Sequence, residues 1–199
     1  MILNDRQIAG LCLKEDGMIT PFIPSKISFI ESNGWELFPK AKMVISYGCS
    51  HFGYDIRLSK KDFRVFSHKM NYTVVDPKIQ GDYFEQKERS EYGNSVMIPP
   101  HSYALGVSLE QLNIPPNILG LCTGKSTYAR CGVIVNITPL EPGWRGHLTI
   151  EISNANPLPV IIYLEEGICQ VLFFRGDTPS QLYEGKYQNQ LEEVVQAKV

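Results

Sequence analysis

The sequence lacks long apolar runs, paired cysteines and any marked excess of one charge, and each absence removes a class of function. No stretch approaches the roughly 18 consecutive apolar residues of a membrane-spanning helix. The opening "MILNDRQIAGLC" has neither the basic region nor the long apolar stretch of a signal peptide. No membrane partner is expected, and the chain is expected to act in the cytoplasm. Lys and Arg number 19 against 21 Asp and Glu, for a net charge of −2, so nothing suggests a general binder of nucleic acid or membrane surfaces. A polyanionic ligand must be met by a local cluster of cations. The five cysteines (Cys12, Cys49, Cys122, Cys131, Cys169) are odd in number and never form a CxxC pair. They are expected as buried, reduced thiols. Zinc is not expected, because paired cysteines and an HxxxH spacing are both missing and His51, His68, His101 and His147 stand apart. Repeats and low-complexity segments are absent as well.

What is present is a β texture. A chain of 199 residues, 43% of them hydrophobic, suits one sizeable core rather than two full domains, so a single domain over 1–199 is expected. A short helix is expected over about 4–12, with Asn4 as its cap and Ile8, Leu11 and Cys12 on one side. After it come short runs rich in β-branched and aromatic residues: "KMVISYG", "YDIRL", "FRVFS", "YTVVD", "NSVMIPP", "SYALGVSL", "NILGLCT", "GVIVNI", "HLTIEIS", "VIIYL" and "CQVLFF". Sixteen glycines and thirteen prolines supply corners. Many short strands at near-regular spacing predict a mainly β barrel or sandwich, not an alternating βαβ protein. A tail is expected from about 187 to 199.

"GLCTGKSTYAR", residues 120–130, resembles a phosphate-binding loop but fails it. The P-loop needs Gly, four residues, then Gly-Lys-Ser/Thr, between a parallel strand and a long helix. Here three residues separate Gly120 from Gly124, and the surroundings are β on both sides. Ser126 and Thr127 are good caps, Tyr128, Ala129 and Arg130 can be helical, and Gly132 can terminate. On such a turn Ser126 and Arg130 share a face at i and i+4. With Lys125 they form a cradle suited to phosphates, or simply a capped turn with a surface arginine. In "GHLTIEISN", alternation puts Leu148, Ile150 and Ile152 on one face and His147, Thr149, Glu151 and Ser153 on the other. Glu151 is then either a solvated carboxylate or a proton-transferring one. Gly143–Gly146 reads as a turn before the second arm of a hairpin, placing Glu141 and Glu151 on facing arms.

Taken together, "GKSTYARCGVIVNITPLEPGWRGHLTIEISNANPLP" resembles the dCTP deaminases of the dUTPase-related superfamily. The likeness extends through "ISYGCSHFGYDIRLS", "VDP", "IPPHSYALGVSLE", "EEGICQVLFF" and "GKYQNQ". It implies a distorted jelly-roll or β-clip barrel of the dUTPase-like type with a few short helices. It also implies a homotrimer with active sites between subunits, and a triphosphate substrate carrying Mg²⁺. By this resemblance Glu151 is the proton-transferring glutamate, and Ser126 and Arg130 frame the reaction centre. Lys125, Thr127, Tyr128 and Ala129 of the same turn are implied substrate contacts. Thr149 and Ile150 read the base by main-chain contacts, and Gln170, Tyr183, Lys186 and Gln190 complete the nucleotide site. The segment between Tyr183 and Lys186 is shorter than in many relatives. Glu141 is a possible second acid.

The resemblance implies hydrolysis of dCTP to dUTP and ammonia, part of pyrimidine deoxyribonucleotide biosynthesis that supplies dUTP for dUMP and thymidylate. Zinc-dependent cytidine deaminases carry HxE and PCxxC signatures, and this chain has neither; a carboxylate must then act as general base. Two alternatives remain: a bifunctional enzyme releasing dUMP and pyrophosphate, and a catalytically silent nucleotide-binding trimer. Feedback inhibition by dTTP through the "VNITP" loop, residues 135–139, is also implied.

Overall fold

A computed structural model describes residues 1–31, 41–67, 74–79, 81, 83–88 and 90–198. Near the N-terminus, α1 (Asp5–Cys12) starts where Asn4 and Gln7 cap each other. The Asn4 side chain accepts from Gln7 N at 3.0 Å, and the Gln7 side chain accepts from Asn4 N at 3.1 Å. Two of the helix's orphan N–H groups are thereby satisfied. Ile8 and Cys12 are buried and Leu11 packs against the core.

Twelve strands follow in the order β1 (Ile19–Thr20), β2 (Ile27–Glu31), β3 (Ala41–Cys49), β4 (Tyr54–Phe66), β5 (Phe84–Gln86) and β6 (Ser95–Ile98). Then come β7 (Tyr103–Asn113), β8 (Ile118–Gly124), the single turn α2 (Ser126–Ala129), β9 (Val133–Asn136), β10 (Arg145–Asn154), β11 (Val160–Tyr163) and β12 (Gly167–Arg175). The main sheet runs β2-β3-β4-β7-β10-β9, with β12 joining β4 to β8, and β11 pairs with β6 in a small second sheet. All these ladders are antiparallel. The mainly β fold with few short helices is therefore as expected, and the sheets are open. No described helix is long and apolar enough to cross a membrane.

Several local expectations are corrected. "YDIRL" and "FRVFS" form one strand, β4. Its first residues pair with β3 and β12, and a register shift between Leu58 and Phe63 accompanies its pairing with β7 and β5. Such an irregularity lets one strand serve two sets of neighbours. In "YTVVD", Val74, Val75 and Asp76 lie outside any strand, with Val74 71% exposed; Tyr72 and Thr73 fall outside the described residues, as does His68. Tertiary burial, not β propensity, decides such short runs.

The core is filled by residues such as Tyr54, Ile56, Leu112, Ile150 and Phe173, all fully buried. Each large aliphatic among them contributes roughly 1.5–3 kcal/mol by leaving water. Charges are buried too. Glu110 has no exposed surface; its Oε1 accepts from Arg57 Nε at 2.6 Å and its Oε2 from Arg57 N at 2.8 Å. Burial pushes the Glu110 carboxyl up, against the pull of Arg57.

Cys12, Cys49 and Cys169 are buried and Cys122 half-buried, as expected of packed thiols, but Cys131 is exposed on the turn after α2. Burial raises the thiols of Cys12 to about 12, Cys49 to about 11 and Cys122 to about 12, from an ordinary 9.0. The unfolded chain loses these protons from about pH 9, while the folded chain keeps them until pH reaches the raised values. The stability they contribute is thus fully present below pH 9 and disappears as pH climbs through 11–12. Denaturant midpoints in reducing buffer should be flat up to about pH 8.5 and fall steadily above it. A midpoint unchanged to about pH 10.5 contradicts this.

Candidate active site

Glu151 sits midway along β10, whose burial alternates as the pattern predicted. Leu148, Ile150 and Ile152 are 3%, 0% and 0% exposed, while His147, Thr149, Glu151 and Ser153 are half-buried on the other face. The outward face opens into a cavity of about 380 Å³ walled by Leu105, Leu140, Trp144, Thr149, Tyr183 and Gln190, with Glu141 and Glu151 in the lining. Among its described lining residues there is no lysine or arginine.

β9 and β10 form the expected hairpin, with Glu151 opposite Asn136. The Asn136 Nδ2 donates to Glu151 Oε2 at 2.5 Å. That bond leaves the other carboxylate oxygen for a further partner. Asn136 was not singled out from the sequence; its signal was the hairpin register, which makes it the cross-strand partner of Glu151. Glu141 is not on the facing arm as expected. It lies in the connection between the strands, where its carbonyl accepts from Trp144 N at 3.0 Å.

β9 stops at Asn136, so from Arg145 to Ile150 β10 has no strand neighbour on that side among the described residues. The C-terminal segment takes part of this edge. Asn189 N donates to Arg145 O at 2.8 Å and His147 N to Gln190 O at 2.9 Å. Gln190 is 9% exposed and its side-chain amide donates to Thr149 Oγ1. Beyond it the tail is pinned across β4 and β7. Glu192 accepts from Ser59 Oγ at 2.7 Å and pairs with Lys61, and Val194 N donates to Asp62 Oδ2 at 2.9 Å. Val194 packs on Leu105 and Val107, while Val195 and Ala197 reach the cavity. The Lys186 ammonium donates to the Lys198 carbonyl, and neither residue lines the Glu151 cavity. Tyr183 is half-buried in the cavity wall, and its hydroxyl accepts from Tyr187 N at 3.3 Å.

The other predicted residues lie elsewhere on the same chain. Ser126, Thr127 and Ala129 of α2 and Arg130 at its C-cap are exposed, and none lines the Glu151 cavity. Ser126 is the first helical residue and not the cap; the N-cap position is Lys125, with no side-chain cap bond. Gly132 does terminate the turn, at a φ of 70°. The Tyr128 side chain points inward, 4% exposed, and its hydroxyl accepts from Tyr163 N at 2.9 Å, so a ligand on α2 meets its main chain rather than its ring. The Lys125 ammonium is tied to Asp55 in a buried ion pair at 2.7 Å. Gln170 Nε2 donates to Ser50 Oγ at 3.0 Å, away from the cavity.

Known proteins resemble this chain along most of its length. Residues 2–176 match a family model described as dCTP deaminase-like. A dCTP deaminase of Acidobacterium capsulatum is 44% identical over 193 residues, covering 95% of this chain and 94% of that protein. One of Chlamydia pneumoniae is 47% identical over 193 residues, covering 95% of each. Among solved structures, the 2'-deoxycytidine 5'-triphosphate deaminase of Agrobacterium tumefaciens superposes with a TM-score of 0.57 at 16% identity. That match covers 88% of this chain and 48% of the other, a likeness of fold alone. The chain belongs to the dCTP deaminase-like family.

Proposed function

We propose that the enzyme hydrolyses dCTP to dUTP and ammonia, with Glu151 as the proton shuttle. Water adds to C4 of the cytosine, N3 takes a proton, and the amino group leaves as ammonia. Glu151 accepts the water proton through the oxygen that Asn136 leaves free, and passes it on to the ring and the departing nitrogen. One such group typically contributes about 10²–10⁴-fold, so positioning and charge stabilisation supply the remainder. The observation that carries this reading is a carboxylate oriented by Asn136 in a cavity beside a strand edge that β9 leaves and the C-terminal segment takes only in part. There the main chain around Thr149 and Ile150 is available to hydrogen-bond a pyrimidine.

The cavity holds two carboxylates and no described cation, whereas the substrate brings several negative charges. The cations must come from outside this wall. Magnesium arrives with the substrate, because it binds through phosphate oxygens and keeps its waters. Lys186 is next in sequence to Tyr187, which lines the cavity. Arg130, together with Ser126, is presented by the exposed α2 of a neighbouring copy, which makes the homotrimer the working unit. There the Ser126 hydroxyl holds the attacking water or the oxygen forming at C4, and Arg130 balances the charge that develops. The absence of HxE and PCxxC signatures from the sequence supports a reaction without zinc. Supply of dUTP toward dUMP and thymidylate is the metabolic role.

Glu141 lies in the connecting loop of the hairpin, and we assign it no role in attacking the α-phosphate. Incubation with dCTP should release ammonia and dUTP in equal amounts. The appearance of dUMP and pyrophosphate without an added dUTPase establishes the bifunctional alternative instead. Binding of dCTP without ammonia establishes the silent one. Inhibition by dTTP follows if the loop at 135–139, which carries Asn136 and lines the cavity at Ile137–Pro139, shifts when a thymine base occupies the site. Saturating dTTP should then suppress turnover and make dCTP saturation sigmoidal; unchanged hyperbolic kinetics remove that idea.

A further inference from the structure

Lys125 occupies the N-cap position of α2, yet its side chain turns inward. Its Nζ donates to Asp55 Oδ2 at 2.7 Å and to Ser46 Oγ at 3.1 Å. The two side chains of the ion pair are 9% and 3% exposed. An ammonium has three donors, and two are spent here away from solvent. The lysine stem passes Gly167, where an added Cβ would come within 3.1 Å of Lys125 Cδ and collide with the Ser46 carbonyl. The pair ties the end of β8 to β3 and β4. Asp55 is itself the register partner of Gly48 in β3 and Gln170 in β12, so its carboxylate is fixed at the middle of the sheet.

α2 is a single turn, closed by bonds from Ala129 N to Lys125 O and from Arg130 N to Ser126 O, each 3.0 Å. One turn has no stability of its own in water; its place is set by what holds it. Tyr128 anchors its middle through Tyr163 N, and the buried ion pair anchors its start. A buried pair adds little net stability over an apolar pair of similar volume. What it adds here is a directional constraint on the residue next to Ser126.

We propose that Asp55, acting through Lys125, is a positioning residue for deamination: it fixes the start of α2, and so sets the Ser126 hydroxyl and Arg130 guanidinium against the Glu151 of a neighbouring copy. This rests on the deaminase reading above. It also assigns Lys125 to the scaffold and not to the phosphates, since the amine is engaged and nearly covered.

The test uses the full-length Asp55→Asn and Lys125→Met variants and the double variant. Ammonia release, dCTP affinity and amide exchange across 126–132 are measured together. A displacement of about 1 Å at a reacting group can cost about 10²-fold, so Asp55→Asn should lower kcat by roughly 10–100-fold. Its dCTP dissociation constant should stay within about threefold of wild type. Exchange at the Ala129 and Arg130 amides should rise while that of β10 is unchanged. The double variant leaves no unpaired buried charge; it should recover the melting temperature without recovering kcat or α2 protection, and it carries the test if a single variant does not fold. Three results overturn the proposal. One is Asp55→Asn with unaltered kcat and α2 exchange. Another is Lys125→Met with raised KM and intact kcat, which makes Lys125 a phosphate ligand. The third is a double variant that recovers kcat together with stability. If the wild-type protein releases no ammonia, the deaminase reading fails by itself, and the exchange measurement still decides whether Asp55 holds α2.

Discussion

Replacing Glu151 with glutamine should lower dCTP turnover by about 10²–10⁴-fold, with dCTP affinity changed by no more than a few fold. Glutamine keeps the size of the side chain and offers one oxygen to the Asn136 amide, the 2.5 Å contact of the native protein. It cannot take a proton from water at neutral pH. The loss therefore falls on the chemical step and leaves the shape of the cavity in place. Ammonia release gives kcat, and calorimetric titration of the variant with dCTP and Mg²⁺ gives the affinity. A glutamine variant that turns over within about tenfold of wild type returns Glu151 to the status of a solvated strand residue. Loss of affinity in parallel with turnover makes it a binding group.

Mixing two dead variants should restore activity. Ser126 and Arg130 lie on the exposed α2, whereas Glu151 lies in a cavity that neither of them lines. If each site takes Glu151 from one copy and Arg130 from its neighbour, Glu151→Gln and Arg130→Ala variants complement each other. Refolded together in equal amounts, random trimers contain about one quarter of sites with both groups intact. The mixture should show about that fraction of wild-type turnover, although each variant alone is slower by about 10²-fold or more. A mixture no faster than the mean of its two components means that each site is built within one chain.

The β10 hairpin was legible because a strand has period two. Once Leu148, Ile150 and Ile152 are taken as core, Glu151 can only face outward. The turn before the strand falls at Glu141–Trp144, because Arg145 and Gly146, expected in that turn, already pair with β7. The turn at 126–129 was legible in its position and its end, where Gly132 terminates it, but not in its start. Ser126 and Thr127 have capping side chains, yet the N-cap is Lys125 and no side chain caps it. What local pattern does not carry is pairing between distant residues. Lys125 read as a surface cation ready for phosphate, because the sequence gives no sign of an aspartate 70 positions earlier in the chain that buries it. Asn136 was overlooked because its role appears only when the hairpin register places it opposite Glu151. "YTVVD" has strand composition, yet Val74–Asp76 gains no ladder partner, and composition alone does not supply one. Cys131 follows α2 on the surface, where a general preference of thiols for the interior is overridden by its place in the turn.

The most direct measurement of the central claim is the product balance from dCTP and Mg²⁺ in the presence of a zinc-selective chelator. Ammonia and dUTP should appear together, one for one, at an undiminished rate in wild type and at the background rate in Glu151→Gln. Ammonia release that stops on zinc chelation, or that persists in Glu151→Gln, contradicts a glutamate-driven, zinc-free deamination.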